Sequence, residues 1–118
     1  MTTTHDPQLL KGVLSLLLLQ LLTERESYGY EVVQRLHEIG LNDIVEGTVY
    51  PALARLEREG RLTARLVSSN AGPARKYYRP TAAGYSALAT GKANWLSLGD
   101  VVVSVLNRPV PTEPIKGN

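Results

Sequence analysis

Arg55, Arg58, Arg61, Arg65, Arg75, Lys76 and Arg79 crowd into one stretch of the chain, and their cationic heads are the chemistry it offers most plainly. Guanidinium and ammonium groups bind phosphate oxygens, and a guanidinium fork also matches the paired acceptors on the edge of guanine. The competing explanation is a set of solvated surface charges, because the formal net charge is only +2 even though the pI is about 9.0. Placement therefore counts for more than the total.

Other chemistries are poorly supplied. Cysteine is absent, which removes disulfides, thiolate zinc clusters and a cysteine nucleophile, and suits a reducing compartment. His5 and His37 stand alone, without a second histidine at ligand spacing, so no metal is expected. A Gly-rich phosphate loop, paired acids and a nucleophile–base arrangement are all missing, so the chain is read as a non-enzyme without a cofactor. The longest apolar run, Leu16 to Leu19, is far shorter than the roughly 20 residues of a membrane span. The start from Met1 to His5 lacks a basic signal region, and a cytoplasmic protein is expected.

Position for the cations must come from the surrounding elements. With 118 residues and 43% hydrophobic content, the chain suits a single folding unit with one core. A first helix is predicted from about Pro7 to Thr23, apolar around so much of its girth that it needs cover on two sides. Ser27 reads as the N-cap of a second helix, Tyr28 to Ile39, whose Val32, Val33, Leu36 and Ile39 share a face and which Gly40 stops. Tyr28 and Tyr30 are expected to pack against the core rather than touch a ligand.

The third helix is predicted from Thr48 to Glu59, with Pro51 in its first turn and Gly60 at its end. Val49, Ala52, Leu53 and Leu56 cluster on its inner side. Tyr50, Pro51, Arg55 and Arg58 are left outside. Two short helices with an arginine-bearing outer face are the parts of a helix-turn-helix. Leu62 to Ser69 and Ala74 to Arg79 then read as strands around the turn Asn70 to Pro73, a basic hairpin where a wing belongs. Its use would be to lay amides and basic side chains against a nucleic-acid backbone, which makes double-stranded DNA the expected partner. Candidate DNA contacts are Thr48, Tyr50, Pro51, Arg55 and Arg58 on the helix, and Asn70, Gly72, Arg75, Lys76 and Tyr77 on the wing.

The last long segment, Thr81 to about Asn107, opens on a capping threonine and reads as one helix too long for its own domain to cover. Leu88, Trp95 and Val102 recur at coiled-coil spacing with Leu98 and Leu106 near the same side, although Gly91 and Gly99 weaken it, allowing a close approach or a kink. Pairing of this helix with the first helix across a homodimer would bury Leu9, Val13, Leu16, Leu88, Trp95, Val102 and Leu106. The organisation is thus a winged helix-turn-helix over residues 1–80, a dimerisation helix over 81–107 and a flexible proline-rich tail over 108–118. The fold class is mainly α with a small β-hairpin.

Tyr28-Gly-Tyr-Glu31, Gly47-Thr-Val-Tyr-Pro-Ala-Leu53 with Arg55-Leu56-Glu57, and Gly72-Pro-Ala-Arg-Lys-Tyr-Tyr-Arg79 with Thr81 and Gly84 resemble the signature blocks of the PadR family of transcriptional regulators. Val49 stands where leucine is usual, and Pro80 with Ala82 and Ala83 replace a commoner leucine and acidic pair, swaps that touch packing rather than DNA contact. The resemblance implies a homodimeric repressor whose third helix enters the major groove while the wing tip meets the flanking backbone. It also implies a cavity at the dimer centre where a planar aromatic effector stacks, with Trp95, Leu98 and Val102 as its candidate contacts. Packing of Trp95 within the interface is the simpler expectation. A winged-helix protein-interaction module without DNA binding is the alternative function.

Overall fold

The structure, a computed structural model, describes residues 6–112. His5, the Met1 to His5 start and the end of the expected tail, residues 113–118, lie outside them.

Helix α1 runs from Pro7 to Glu24. Asp6 caps it, its side chain accepting the Gln8 amide hydrogen at 2.8 Å, and Pro7 occupies the first turn, where a missing N–H costs nothing. Leu14, Leu18, Leu21 and Leu22 are buried along one stripe, and Leu19 widens it. They form the centre of the core.

Ser27 and Tyr28 form a short strand, β1, before α2 (Gly29–Glu38). This corrects the expected N-cap: Tyr28 takes the capping position, and Ser27 turns inward. Buried there, the Ser27 hydroxyl donates to the Arg25 carbonyl at 3.2 Å and accepts from Arg35 Nη1 at 3.0 Å. Val32, Val33 and Leu36 enter the core as expected, while Ile39 is exposed beyond the helix end. Gly40 has φ +112°, a left-handed value that stops a helix cheaply only for glycine. His37 Nε2 donates to the Ile44 carbonyl at 2.7 Å and ties the following loop to α2.

Helix α3 spans Glu46–Arg58, starting earlier than predicted. Pro51 consequently lies in the second turn, not the first, and its absent N–H leaves the exposed Gly47 carbonyl without an intrahelical donor. Val49, Ala52, Leu53 and Leu56 are buried, and Tyr50, Pro51, Arg55 and Arg58 are exposed, as their spacing requires.

Strands β2 (Leu62–Ser69) and β3 (Gly72–Pro80) pair antiparallel about the turn Asn70-Ala71. Leu62 pairs with Pro80 and Arg65 with Tyr77. β1 adds to the free edge of β3, Ser27 opposite Tyr78, so the sheet has three strands in the order β1-β3-β2. Thr81 caps the last helix, α4 (Ala82–Leu106), accepting from the Gly84 amide at 3.1 Å and donating to the Gly60 carbonyl at 2.6 Å. It runs unbroken through Gly91 and Gly99.

The proximal part of α4 packs on α1 of its own chain. Ala87 and Leu88 lie against the core, and a Cβ on Gly91 would come within 2.9 Å of Leu16 Cδ1, a close helix approach that only a small residue permits. Part of the surface expected to be free for a second subunit is thus covered within the chain, with Val13, Leu16 and Leu88 half-buried. The distal part runs on past α1: from Trp95 to Leu106 the large apolar side chains are exposed. Projection of this rod makes the molecule 66 Å long against 23 Å in its thinnest direction.

Candidate nucleic-acid interface

Three buried residues of α2 and four of α3 lock the two helices to a common core, which leaves the outer face of α3 beside the hairpin. Gly29 at the start of α2 lets the two helices approach: a Cβ there would meet the Tyr50 ring at 2.7 Å. Tyr28, Tyr30, Tyr50, Arg75 and Lys76 line a groove of about 620 Å³ between helix and wing. Tyr30, expected in the core, is instead exposed at this groove, and Tyr28 is half-buried. Burial and the neighbouring Glu46 carboxylate push the Tyr50 phenol up, so it remains a hydrogen-bond donor at neutral pH.

Alternation along β3 sends Arg75 and Lys76 to opposite faces of the wing. Arg75 lies with its guanidinium 4.6 Å from the Tyr28 ring centroid, and Tyr77 meets the same ring edge-on at 5.3 Å. Lys76 turns to the recognition side, where Nζ donates to Glu57 Oε1 of α3 at 2.7 Å. Arg65 is engaged elsewhere, held by both carboxylate oxygens of Glu26. Arg55 Nη2 donates to Ser15 Oγ at 3.1 Å and so bridges α3 to α1. Arg58 is exposed and forms no ion pair among the described residues.

Most of the candidate DNA contacts are exposed, in one group on α3 and another on the wing. Thr48, Tyr50, Pro51, Arg55 and Arg58 are exposed on α3; Asn70, Gly72, Arg75 and Lys76 are exposed at or beside the wing tip; Tyr77 is half-buried within the sheet. Gly72 closes the turn with φ +150°, next to the register shift between Val67 and Ser69. Sequence reasoning missed Glu57, whose carboxylate accepts from Lys76, and Glu46, whose carboxylate neighbours Tyr50. Their positions on α3 were readable, but the Glu57–Lys76 pairing depends on how the wing folds back.

Among the residues expected at a dimer interface, Leu9, Trp95, Val102 and Leu106 are exposed, whereas Val13, Leu16 and Leu88 are half-buried. Leu98, a candidate effector contact with Trp95 and Val102, is exposed too. Gly12, Leu16, Trp95 and Leu98 border a groove of about 330 Å³ between α1 and α4. Among the described residues no helix is long and apolar enough to cross a membrane, and no three His, Asp or Glu side chains gather as a metal site would need.

An exposed helix seated beside a basic three-stranded wing, on a core shared by both, defines a winged helix-turn-helix protein. The model of the transcriptional regulator PadR-like family matches residues 18–90, and the chain belongs to that family. An uncharacterized protein of Lysinibacillus sphaericus is 30% identical over 96 residues, 80% of this chain and 88% of its own. A PadR-like transcriptional regulator of Bacillus cereus superposes with a TM-score of 0.77 at 35% identity, covering 86% of this chain and 99% of that one. A PadR family regulator of Eggerthella lenta gives 0.79 at 35% identity over 86% and 88% of the two chains. Membership in a family of transcriptional regulators implies DNA as the partner and gives no support to catalysis.

Proposed function

We propose that this protein is a cytoplasmic transcriptional repressor that binds a near-palindromic operator as a homodimer. The observation that carries the reading is the outer part of α3, where Thr48, Tyr50, Arg55 and Arg58 stand exposed and Tyr50 shares a groove with Arg75 and Lys76 of the wing. Donors of this kind suit major-groove edges and phosphates, and the wing supplies cations for the flanking backbone. Asn70 and Gly72 at the wing tip bring backbone amides near the same phosphates.

Dimerisation is supported by the distal half of α4. Trp95, Leu98, Val102 and Leu106 are exposed, and an apolar surface of that extent on a soluble helix calls for a partner. A second copy supplies the same surface, and Leu9 and Leu16 of α1 extend it. Two copies would present two α3 helices about one DNA turn apart. Trp95 at such an interface offers an indole face to a planar aromatic effector, which would release the operator; quenching of Trp95 emission by such compounds reads that binding directly.

The test is a binding titration on the DNA upstream of the protein's own gene, with Arg75 and Lys76 both replaced by alanine. Affinity falls, the fold is retained, and the slope of log affinity against log salt flattens by up to about two phosphates' worth. Equal affinity and slope for the variant and the parent protein would remove the wing from the interface. A reporter behind the same promoter separates repression from activation.

A further inference from the structure

We infer a second ligand site in this protein: the aliphatic cavity between α1 and α3 binds a medium-chain aliphatic carboxylate, which contends with DNA for Arg55 and Thr48. The cavity measures about 370 Å³, within the range of pockets that enclose small molecules and well beyond the voids of a close-packed interior. Leu10 and Leu14 of α1 form one wall, Leu41 and Ile44 of the α2–α3 loop a second, and Pro51 and Ala52 of α3 a third. No aromatic ring is among its described lining residues, so it offers no stacking partner and favours a flexible alkyl body over a flat one.

The polar residues on its lining select the head group. Lys11 and Arg55 bring two cations and Asp43 one carboxylate, and none of the three enters an ion pair among the described residues. One positive charge is left in excess, which suits a single acid group. Thr48 adds a hydroxyl that can donate to the same oxygens. Arg55 already leans toward α1, its Nη2 donating to Ser15 Oγ at 3.1 Å. A carboxylate at the cavity mouth would hold the guanidinium there and deny it to DNA, because the same residue lies on the exposed face of α3. Ligand binding stands independently of the proposed function; only its competition with DNA rests on that reading.

Isothermal titration of the full chain with octanoate tests the site, with benzoate as the flat comparator. The expected result is one octanoate per chain, bound more tightly than benzoate, with Trp95 emission unchanged because Trp95 lines a different groove. Lys11→Glu weakens octanoate about tenfold and Asp43→Asn tightens it about threefold, opposite shifts that a loss of fold cannot produce. No heat with octanoate, a preference for benzoate, or an affinity indifferent to both substitutions would overturn the site. Saturating octanoate lowers affinity for the DNA upstream of the gene; unchanged affinity would overturn the competition. Failure of the ligand-free protein to bind DNA at all would count against the proposed function, and calorimetry would still decide the cavity.

Discussion

Lys76 Nζ lies 2.7 Å from Glu57 Oε1, so the wing's lysine is fastened to the recognition helix rather than held out to solvent. The hydrogen bond that Lys76 donates to Glu57 raises the pKa of its ammonium above the ordinary value, against a smaller opposing effect of burial. Both side chains remain partly exposed, which keeps the pair's contribution to stability at or below about 1 kcal/mol. Its larger consequence is local: the pair ties the wing to α3 and neutralises a cation on the side proposed to meet DNA.

Replacing Glu57 with glutamine releases that cation without removing volume. Operator affinity should rise severalfold at low salt, and the salt slope should steepen by about one released counterion. The two slopes measured side by side decide the matter, and an unchanged slope would mean that Lys76 meets no phosphate.

Gly84 and Gly91 both face neighbours on α4, yet alanine should be tolerated at only one of them. A Cβ on Gly84 would collide with the backbone carbonyl of Arg61, which cannot swing aside, and Gly84→Ala should cost about 1–3 kcal/mol. A Cβ on Gly91 meets only the tip of Leu16, 2.9 Å away and free to change rotamer. There the gain of about 1 kcal/mol in helix propensity offsets the crowding, leaving Gly91→Ala near neutral. Thermal melts check the contrast: a loss of roughly 5–20 °C for the first and little change for the second.

Acid should loosen the sheet at a definite place. The hydrogen bonds from Arg65 hold the Glu26 carboxyl below its ordinary value, which is the folded-state depression typical of a paired carboxylate. Stability from such a group is present above the unfolded pKa and disappears as pH falls through the folded one. Glu26→Gln should therefore melt below the parent protein at neutral pH, and the gap should close under pH values beneath the ordinary carboxylate range. A gap that persisted at low pH would show that the glutamine disturbs packing instead.

How much of this was legible depended on the range of the signal. Both ends of α4 could be read, because Thr81 is a capping residue and a run of that length without proline has few other fates. The inner face of α3 followed from spacing alone. The strand at Ser27 and Tyr28 did not, since two residues show no period and a serine ahead of an apolar run imitates an N-cap. Pro51 was misplaced because Glu46 and Gly47 look like loop, and the core that holds their turn helical is not local. The opposite facing of Arg75 and Lys76 was in principle readable from strand alternation, whereas the Lys76–Glu57 and Arg55–Ser15 contacts join distant parts of the chain and needed the fold.

The division of α4 into a proximal half covered by its own α1 and a distal half left bare fixes how dimerisation must be tested. Deleting everything from residue 86 would also strip Ala87 and Leu88 from the core, so a monomer produced that way could reflect damage to the fold. Val102→Asp with Leu106→Asp avoids this, because both side chains are exposed and belong to no part of the chain's own core. In the proposed dimer each aspartate would lie against apolar surface, and burying an unpaired carboxylate there costs several kcal/mol per subunit. Sedimentation should then find the parent protein as a dimer and the double variant as a monomer with unchanged far-ultraviolet helix signal. The variant should also lose operator affinity, since a single α3 reads only half of a near-palindrome. A double variant that still sediments as a dimer would place the interface elsewhere on the molecule.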